Sequence, residues 1–96
     1  MVIGEDNMLY CLVCIDKDDS LQKRIMNRTE HLSYVAETNV VKYAGPFLSE
    51  DDVMIGSLIV IDVEDLSAAE DLAENDPYNK AELFRRKEIF KFNHLI

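Results

Sequence analysis

The chain has 96 residues, of which 19 are acidic and 10 are basic, so its formal net charge at neutral pH is −9. Such an acidic surface argues against nucleic acids and anionic membranes as partners, because both favour positive charge on the protein. Residues 1–7 have neither a basic region nor a long apolar run, so we expect a loose lead-in rather than a signal peptide or an anchor. We therefore expect one domain over residues 1–96 of a soluble, cytoplasmic protein.

An apolar, β-rich run at residues 8–15 predicts a buried first strand. Cys11 and Cys14 form a C-x-x-C pair in this run, a spacing that is also typical of redox and zinc sites. Side chains three residues apart on a strand point to opposite faces, and no second cysteine pair exists to complete a zinc site. We expect two buried, reduced, metal-free thiols.

After a polar turn at residues 16–20, a helical period begins at Leu21 and is expected to end near residues 38–39. The residues that recur at intervals of three and four are Leu21, Ile25, Arg28, Leu32 and Val35. This stripe is apolar except at Arg28. His31 and Tyr34 lie together on one flank of it.

The second half of the chain predicts strands at residues 40–44 and 57–63, a helix at residues 66–75, and a half-buried last strand at residues 86–92. We expect Glu64 and Asp65 to cap this helix, and its inward side to consist of Leu66, Ala69, Leu72 and Ala73. The resulting order is β-α-β-β-α-β. With right-handed crossovers this order gives the ferredoxin-like α+β fold, an antiparallel four-stranded sheet with both helices on one face. The first strand has no clear polar alternate, so we expect a homodimer to cover the other face of the sheet.

Pro77 determines how the chain leaves the second helix. A residue before proline is disfavoured in the helical region, and proline itself can open a new helical turn. Asp76 is thereby predicted to be the N-cap of a short helix that reaches about Phe84, with its carboxylate accepting backbone N–H groups. An ionised, oriented carboxylate is also what a histidine needs to act as a base, which makes His31 its candidate partner. The alternative is that Asp76 is a helix cap with no further role.

Four groups of residues stand in the order and at the separations of a known family. They are Arg28-x-x-His31-Leu32-x-Tyr34, Ala44-Gly45-Pro46, Gly56-Ser57-Leu58-Ile59, and Asp76-Pro77-Tyr78 followed by Ala81 and Leu83-Phe84. Together they resemble the YCII-related (YciI-like) proteins over about residues 8–94. The resemblance implies a ferredoxin-like fold and a dimer of the α+β-barrel type.

The resemblance also implies a site. Its catalytic residues would be His31 and Asp76, and its cleft would use four further polar residues, Arg28, Tyr34, Ser57 and Tyr78. The family's fold is similar to that of small isomerases and lyases of aromatic catabolism, and a dehydrochlorinating branch is known. The chain departs from the family pattern at Glu82, where a glycine is usual, and at residues 91–94, where a Pro-Trp type of ending is common. The second departure is expected to change one wall of the cleft.

Two classes of function follow. The first is a cofactor-independent enzyme that transfers protons on a small, anionic, cyclic or aromatic compound, with His31 as general base or acid and Asp76 fixing its tautomer. Arg28 would bind the carboxylate or phenolate of that compound, or would only pair with one of the many acids. Lys23 and Arg24 make this end of the helix locally basic, which favours an anionic ligand. The second class is a non-catalytic dimeric module that binds a small ligand or a protein. No nucleophile, phosphate loop or metal-ligand set is evident, so we expect no cofactor and no metal.

Overall fold

A computed structural model describes residues 8–96, so the expected lead-in at residues 1–7 lies outside the described part. The strands are β1 (Met8–Asp16), β2 (Val41–Leu48), β3 (Met54–Val63) and β4 (Phe84–Phe92). The helices are α1 (Leu21–Met26), α2 (Arg28–Thr38), α3 (Leu66–Glu74) and α4 (Pro77–Lys80). None of these helices has the length and apolar character needed to cross a membrane.

The four strands form one antiparallel sheet in the order β2-β3-β1-β4. β1 is central, and its Leu12 lies opposite Ile59 of β3 on one side and Ile89 of β4 on the other. The helices pack on one face of this sheet. The ferredoxin-like arrangement expected from the element order is therefore confirmed.

The core lies between the helices and the sheet. In β1 the buried residues alternate with half-buried ones, as a period of two requires when one face is covered. The core cluster consists of Tyr10, Leu12, Ile59, Ile61, Val63 and Ala69. The last of these belongs to α3, which packs against β3, β1 and β4.

The two cysteines lie on opposite faces of β1, as their spacing indicates. Cys14 is buried on the helix side, and Cys11 is half-buried on the side without helices. Both are free thiols.

The single helix expected after β1 is two helices, because the chain turns at Asn27 between α1 and α2. The predicted stripe is not their buried side. Three of its members are substantially exposed, namely Leu21 at 38%, Ile25 at 48% and Leu32 at 52%. The buried residues are Arg24 in α1 and His31 in α2. These polar side chains turn inward because each has a charged partner fixed beneath it.

The helix α3 begins as expected, with the Asp65 carboxylate accepting the Ala68 N–H at 2.9 Å. Ala69 is fully buried, but Leu66, which was expected to face inward, is 48% exposed. Leu66 is the first residue of the helix.

The turn helix α4 is shorter than expected, because it ends at Lys80 and β4 already begins at Phe84. Glu82 between them has a φ of 58°, in the left-handed region that glycine adopts without strain. The same turn is tied to β1 by a hydrogen bond from the Lys17 N–H to the Leu83 carbonyl at 2.8 Å.

Candidate active site

Asp76 leaves α3 in an extended conformation, with φ −64° and ψ 131°, immediately before Pro77. Its Oδ1 accepts the Tyr78 N–H at 2.8 Å, which is the cap expected from the sequence. The same oxygen lies 2.9 Å from Nδ1 of His31. The Asp76 and His31 residues are only 3% and 7% exposed, so bulk water competes little for this contact.

This contact determines which ring nitrogen of a neutral His31 carries the proton. An ionised carboxylate can only accept hydrogen bonds, so Nδ1 is assigned as the donor to Asp76. Nε2 is then left with its lone pair. Such a nitrogen can accept a proton from a neighbouring molecule.

The Tyr78 ring packs on the face of the His31 imidazole. Its ring stacks on that of His31 with centroids 4.0 Å apart and an angle of 11° between the planes. Its backbone N–H binds Asp76, so one residue contacts both members of the pair. Packing and hydrogen bonding therefore limit rotation of the His31 ring.

A second buried ion pair lies beside the first. Nε and Nη2 of Arg24 donate to the two carboxylate oxygens of Asp16 at 2.7 and 2.8 Å. Nη2 also donates to the Ser57 hydroxyl at 2.9 Å, and the guanidinium carbon lies 4.7 Å from the centre of the Tyr78 ring. Burial alone would lower the pKa of Arg24, but the hydrogen bond and charge of Asp16 prevail and raise it.

Sequence reasoning missed this second pair. The pattern predicts Asp16 in the polar turn, whereas it is the last residue of β1, and it predicts Arg24 only as part of a basic helix end. Two signals could have found them. Arg24 lies seven residues before His31, hence about two helical turns away on the same side. Asp16 continues the even-numbered positions of β1 that face the helices.

The two pairs meet at a cleft between the α1–α2 segment and strands β2 and β3, with a volume of about 220 Å³. Its polar lining residues are Arg24, Arg28, His31, Ser57 and Tyr78. Its apolar lining includes Leu32, Val35, Pro46, Met54 and Ile59. The structure thus brings His31, Arg28, Ser57 and Tyr78 to one cavity.

Arg28 and Tyr34 differ in their placement. Arg28 lines the cleft from an exposed position, and no ion pair joins it to another of residues 8–96. Tyr34 does not reach the cleft. Its hydroxyl donates to the Leu72 carbonyl at 2.7 Å, and its side chain lines a wider groove between α2 and α4.

The departure from the family pattern at the C-terminus does not affect this cavity within one chain. Residues 93–96 are exposed, and none of residues 91–96 lines the cleft. The expected change of a cleft wall is therefore not seen in this chain, because β4 lies at the far edge of the sheet from β2.

The positive charges beside Tyr78 affect its hydroxyl. Burial raises the pKa of Tyr78 above its usual range, while Arg24 and Arg28 act in the opposite direction. Within the described part of the chain, no group of three or more His, Cys, Asp and Glu side chains is arranged to hold a metal ion.

The fold and the cleft together define an α+β protein of the ferredoxin-like class with a cavity of small-molecule size. Solved structures agree with this class. An antibiotic biosynthesis monooxygenase shares 9% identity and a TM-score of 0.58 over 93% of this chain and 100% of its own, which shows the fold alone.

A more similar structure is the 5-chloro-2-hydroxyhydroquinone dehydrochlorinase from Burkholderia phenoliruptrix AC1100, in complex with 2,5-dihydroxybenzoquinone. It has 31% identity and a TM-score of 0.83, over 91% of this chain and 95% of its own. Protein YciI of Escherichia coli O6:H1 is 31% identical over 88% of this chain and 96% of its own. An uncharacterised protein of Haemophilus influenzae is 31% identical over 80% of this chain and 88% of its own.

The YCII-related domain model matches residues 8–93. The chain therefore belongs to the YCII-related family, as its motifs indicate.

Proposed function

We propose that this protein is an enzyme that moves protons on a small, anionic, cyclic or aromatic compound without a cofactor. His31 would be the general base or acid, and Asp76 would hold the tautomer and stabilise the imidazolium. The 2.9 Å contact between His31 and Asp76 at the wall of the cleft is the observation that carries this proposal.

The arrangement has the parts that such chemistry needs. A general base must have a free lone pair and a fixed orientation, and the Asp76 contact and the Tyr78 stack provide both for His31. Arg28 supplies a positive charge at the mouth of the cleft for a carboxylate or phenolate. Ser57 and Tyr78 would contribute the remaining polar contacts to the ligand. Tyr34 would act from outside, by tying α2 to the end of α3 through its bond to Leu72.

The similarity to a dehydrochlorinase in complex with 2,5-dihydroxybenzoquinone supports a ligand of this kind. Hydroxylated quinones are planar, anionic near neutral pH and able to exchange ring protons through their keto forms. The two free cysteines support work in the cytoplasm, where thiols are kept reduced.

Ring-proton exchange tests the proposal directly. 2,5-Dihydroxybenzoquinone is incubated with the protein in D₂O, and loss of its ring proton signal is followed by NMR. We expect exchange above the buffer rate, and a loss of about 10²- to 10⁴-fold in His31→Gln, the range typical of a general base. His94→Gln is the matched control, because it changes the other histidine, which is exposed.

Asp76→Asn separates the two roles of the carboxylate. Asparagine caps a helix about as well as aspartate, so the fold should survive. Its amide can donate to Nδ1, which would favour the wrong tautomer, so exchange should fall strongly. Exchange at the buffer rate in the unmodified protein, with the quinone bound in calorimetry, would instead favour the non-catalytic binding module.

We also propose that the working form is a homodimer joined through the open face of the sheet. Residues directly opposite one another in paired strands share a face. On the open face these include the apolar or aromatic residues Tyr43, Phe47, Leu58, Val60, Leu9, Cys11, Val13, Phe90 and Phe92, and the charged residues Asp62, Arg86 and Glu88. Two of them are substantially exposed, Phe90 at 52% and Tyr43 at 49%, so a second copy would remove a largely apolar surface from water.

Sedimentation tests the dimer. Phe90→Glu should raise the dissociation constant about a hundredfold or more, because the new carboxylate would be buried without a partner. Ile25→Glu is the control, since Ile25 is 48% exposed but lies on the helix side. A monomer at micromolar concentration, or dissociation by Ile25→Glu alone, would contradict this interface.

A further inference from the structure

Ser57 is the point at which the second buried ion pair meets the cleft. It is 4% exposed, it lines the cavity, and its Oγ accepts a hydrogen bond from Arg24 Nη2 at 2.9 Å. A serine hydroxyl has one hydrogen to donate and two lone pairs that accept. Because a guanidinium only donates, this contact occupies a lone pair and leaves the hydroxyl hydrogen to be directed elsewhere.

No group among residues 8–96 accepts a hydrogen bond from that hydroxyl. Its hydrogen is therefore available to an acceptor inside the cleft. A hydroxyl whose oxygen is bound by a cation is polarised, and in a buried site this makes it a stronger donor.

Arg24 is held firmly enough to orient the hydroxyl. Its Nε and Nη2 are both fixed by Asp16, and the Arg24 and Asp16 side chains are only 3% and 4% exposed. The fork geometry of the guanidinium leaves little freedom to rotate once two of its nitrogens are bound. The direction from which Nη2 approaches Ser57 is thus set by the end of β1.

We propose that Asp16, Arg24 and Ser57 form one unit that presents the Ser57 hydroxyl to an anionic oxygen of the ligand. Ser57 would touch the ligand, whereas Arg24 and Asp16 would be positioning residues that act through it. This role rests on the proposed function and narrows its substrate to compounds whose ring oxygen is, or becomes, a phenolate or enolate.

The reaction step that this role would serve is a proton transfer between the ligand and His31. His31 Nε2 takes a proton from a tetrahedral ring carbon, the CH₂ of the ligand's keto form, that is adjacent to a carbonyl carbon. The electron pair of that bond moves into the ring and onto the carbonyl oxygen, which becomes the anion that Ser57 binds. Return of the proton to carbon restores the carbonyl. A fixed donor aimed at the oxygen where charge develops is a large contributor in such reactions.

The test uses 4-nitrophenol, whose phenol and phenolate forms absorb at different wavelengths, so the affinity for each form is measured by absorbance titration. We expect the unmodified protein to prefer the phenolate. Ser57→Ala should weaken phenolate binding about tenfold, the value of a hydrogen bond to a charged group, and leave phenol binding nearly unchanged. Arg24→Gln should weaken phenolate binding by a similar factor.

The double variant Arg24→Gln with Ser57→Ala decides whether Arg24 acts through Ser57. If it does, the double variant is no weaker than Arg24→Gln alone, whereas losses that multiply would overturn the positioning role. Arg86→Gln removes the same charge from an exposed arginine outside the cleft and should not change phenolate binding. Arg24→Lys replaces Arg24→Gln if circular dichroism shows that the latter is unfolded.

His31→Gln distinguishes this inference from the proposed function. It should reduce proton exchange by about 10²- to 10⁴-fold while phenolate binding still depends on Ser57. Phenolate binding that is equal in Ser57→Ala and the unmodified protein, or no binding of 4-nitrophenol at millimolar concentration, would overturn the role of Ser57 even if exchange is catalysed.

Discussion

The two faces of the sheet bury different kinds of side chain. The helix-covered face carries an apolar core around Leu12 and Ile61 and, beyond it, two buried ion pairs. The open face carries mostly apolar side chains, several of them half-exposed or exposed, together with Asp62, Arg86 and Glu88. Charges are thus fully buried only where helices and strands fix a partner for each of them. On the open face Arg86 and Glu88 pair at 3.1 Å but stay accessible to solvent, because no described element covers them.

The largest loss of folding free energy is expected when one buried charge loses its partner. Asp16→Ala leaves the Arg24 guanidinium buried and unpaired, and breaking a buried pair in this way typically costs about 3–5 kcal/mol of folding free energy. Urea denaturation at fixed protein concentration measures this loss.

Asp18→Ala is the control for this measurement, because Asp18 is exposed in the neighbouring turn and should change stability by less than about 0.5 kcal/mol. A loss below about 1 kcal/mol in Asp16→Ala would mean that Arg24 reaches water without its partner.

Cys11 and Cys14 allow thiol reactivity on the two faces of the sheet to be compared within one strand. Burial raises the pKa of Cys14 from 9.0 to about 12, with Asp76 as a further cause, so its thiolate is about a thousandfold scarcer than that of an unperturbed thiol at pH 8. In the Phe90→Glu variant, which we expect to be monomeric, Cys11 on the open face should react with iodoacetamide faster than Cys14 does. Mass spectrometry measures the labelling of each thiol. Equal labelling of the two thiols in that variant would contradict the assignment of the faces.

The same thiol predicts a pH dependence of stability. Above pH 9 the unfolded chain releases the Cys14 proton, whereas the native protein keeps it up to about pH 12. The unfolded state therefore binds fewer protons, and stability falls as pH rises through this window. Denaturation between pH 9 and 12 should show a shallower fall in Cys14→Ala, and identical slopes would count against a buried neutral thiol.

A smaller effect is expected at Gly56, where β3 passes β1 too closely for a side chain. An added Cβ would lie 2.3 Å from the Cys14 carbonyl oxygen. Gly56→Ala should therefore cost about 1–3 kcal/mol, the usual cost of overpacking. Gly45→Ala on the neighbouring strand meets nothing within 4 Å and should be nearly neutral. Thermal unfolding of the two variants side by side would detect the difference, and equal melting temperatures would refute it.

The smallest change in stability is expected at Glu82, which lies on neither face of the sheet. Its positive φ costs about 1–2 kcal/mol for a residue with a side chain, which glycine avoids while losing more entropy on folding. Glu82→Gly should therefore raise stability by up to about 1 kcal/mol. Glu82→Ala keeps the strain and removes only the exposed 3.9 Å contact with Lys17, so it should not stabilise. A gain in both variants would point away from backbone strain.

The sequence predicts most of the fold because apolar periodicity follows directly from burial on one face. The strands, the cap at Asp65 and the exit at Asp76 were all expected, and the motif order indicated the family. The break at Asn27 was not expected, since asparagine is tolerated within a helix and the period continues across it.

The candidate site was predicted only in part. His31, Asp76, Arg28, Ser57 and Tyr78 were named from family motifs, and the structure brings them together around the cleft. Arg24 and Asp16 were missed because charged residues are normally exposed, and their burial depends on a partner that no local pattern specifies. The exposure of Leu21 and Ile25 on α1 has the same origin, because Arg24 and His31 occupy the buried side of the two helices.

The position of β1 at the centre of the sheet has a consequence for the order of events during synthesis. β1 is made first, but its two neighbours, β3 and β4, are the last two strands. A ribosome-bound chain therefore cannot complete either side of β1 until long-range contacts form, and the second side must wait for residues 84–92. Pairings that close such long loops are slow, and until then an apolar strand remains open to other chains. The strand that lies at the centre of the finished sheet is thus exposed to aggregation while the chain is being made.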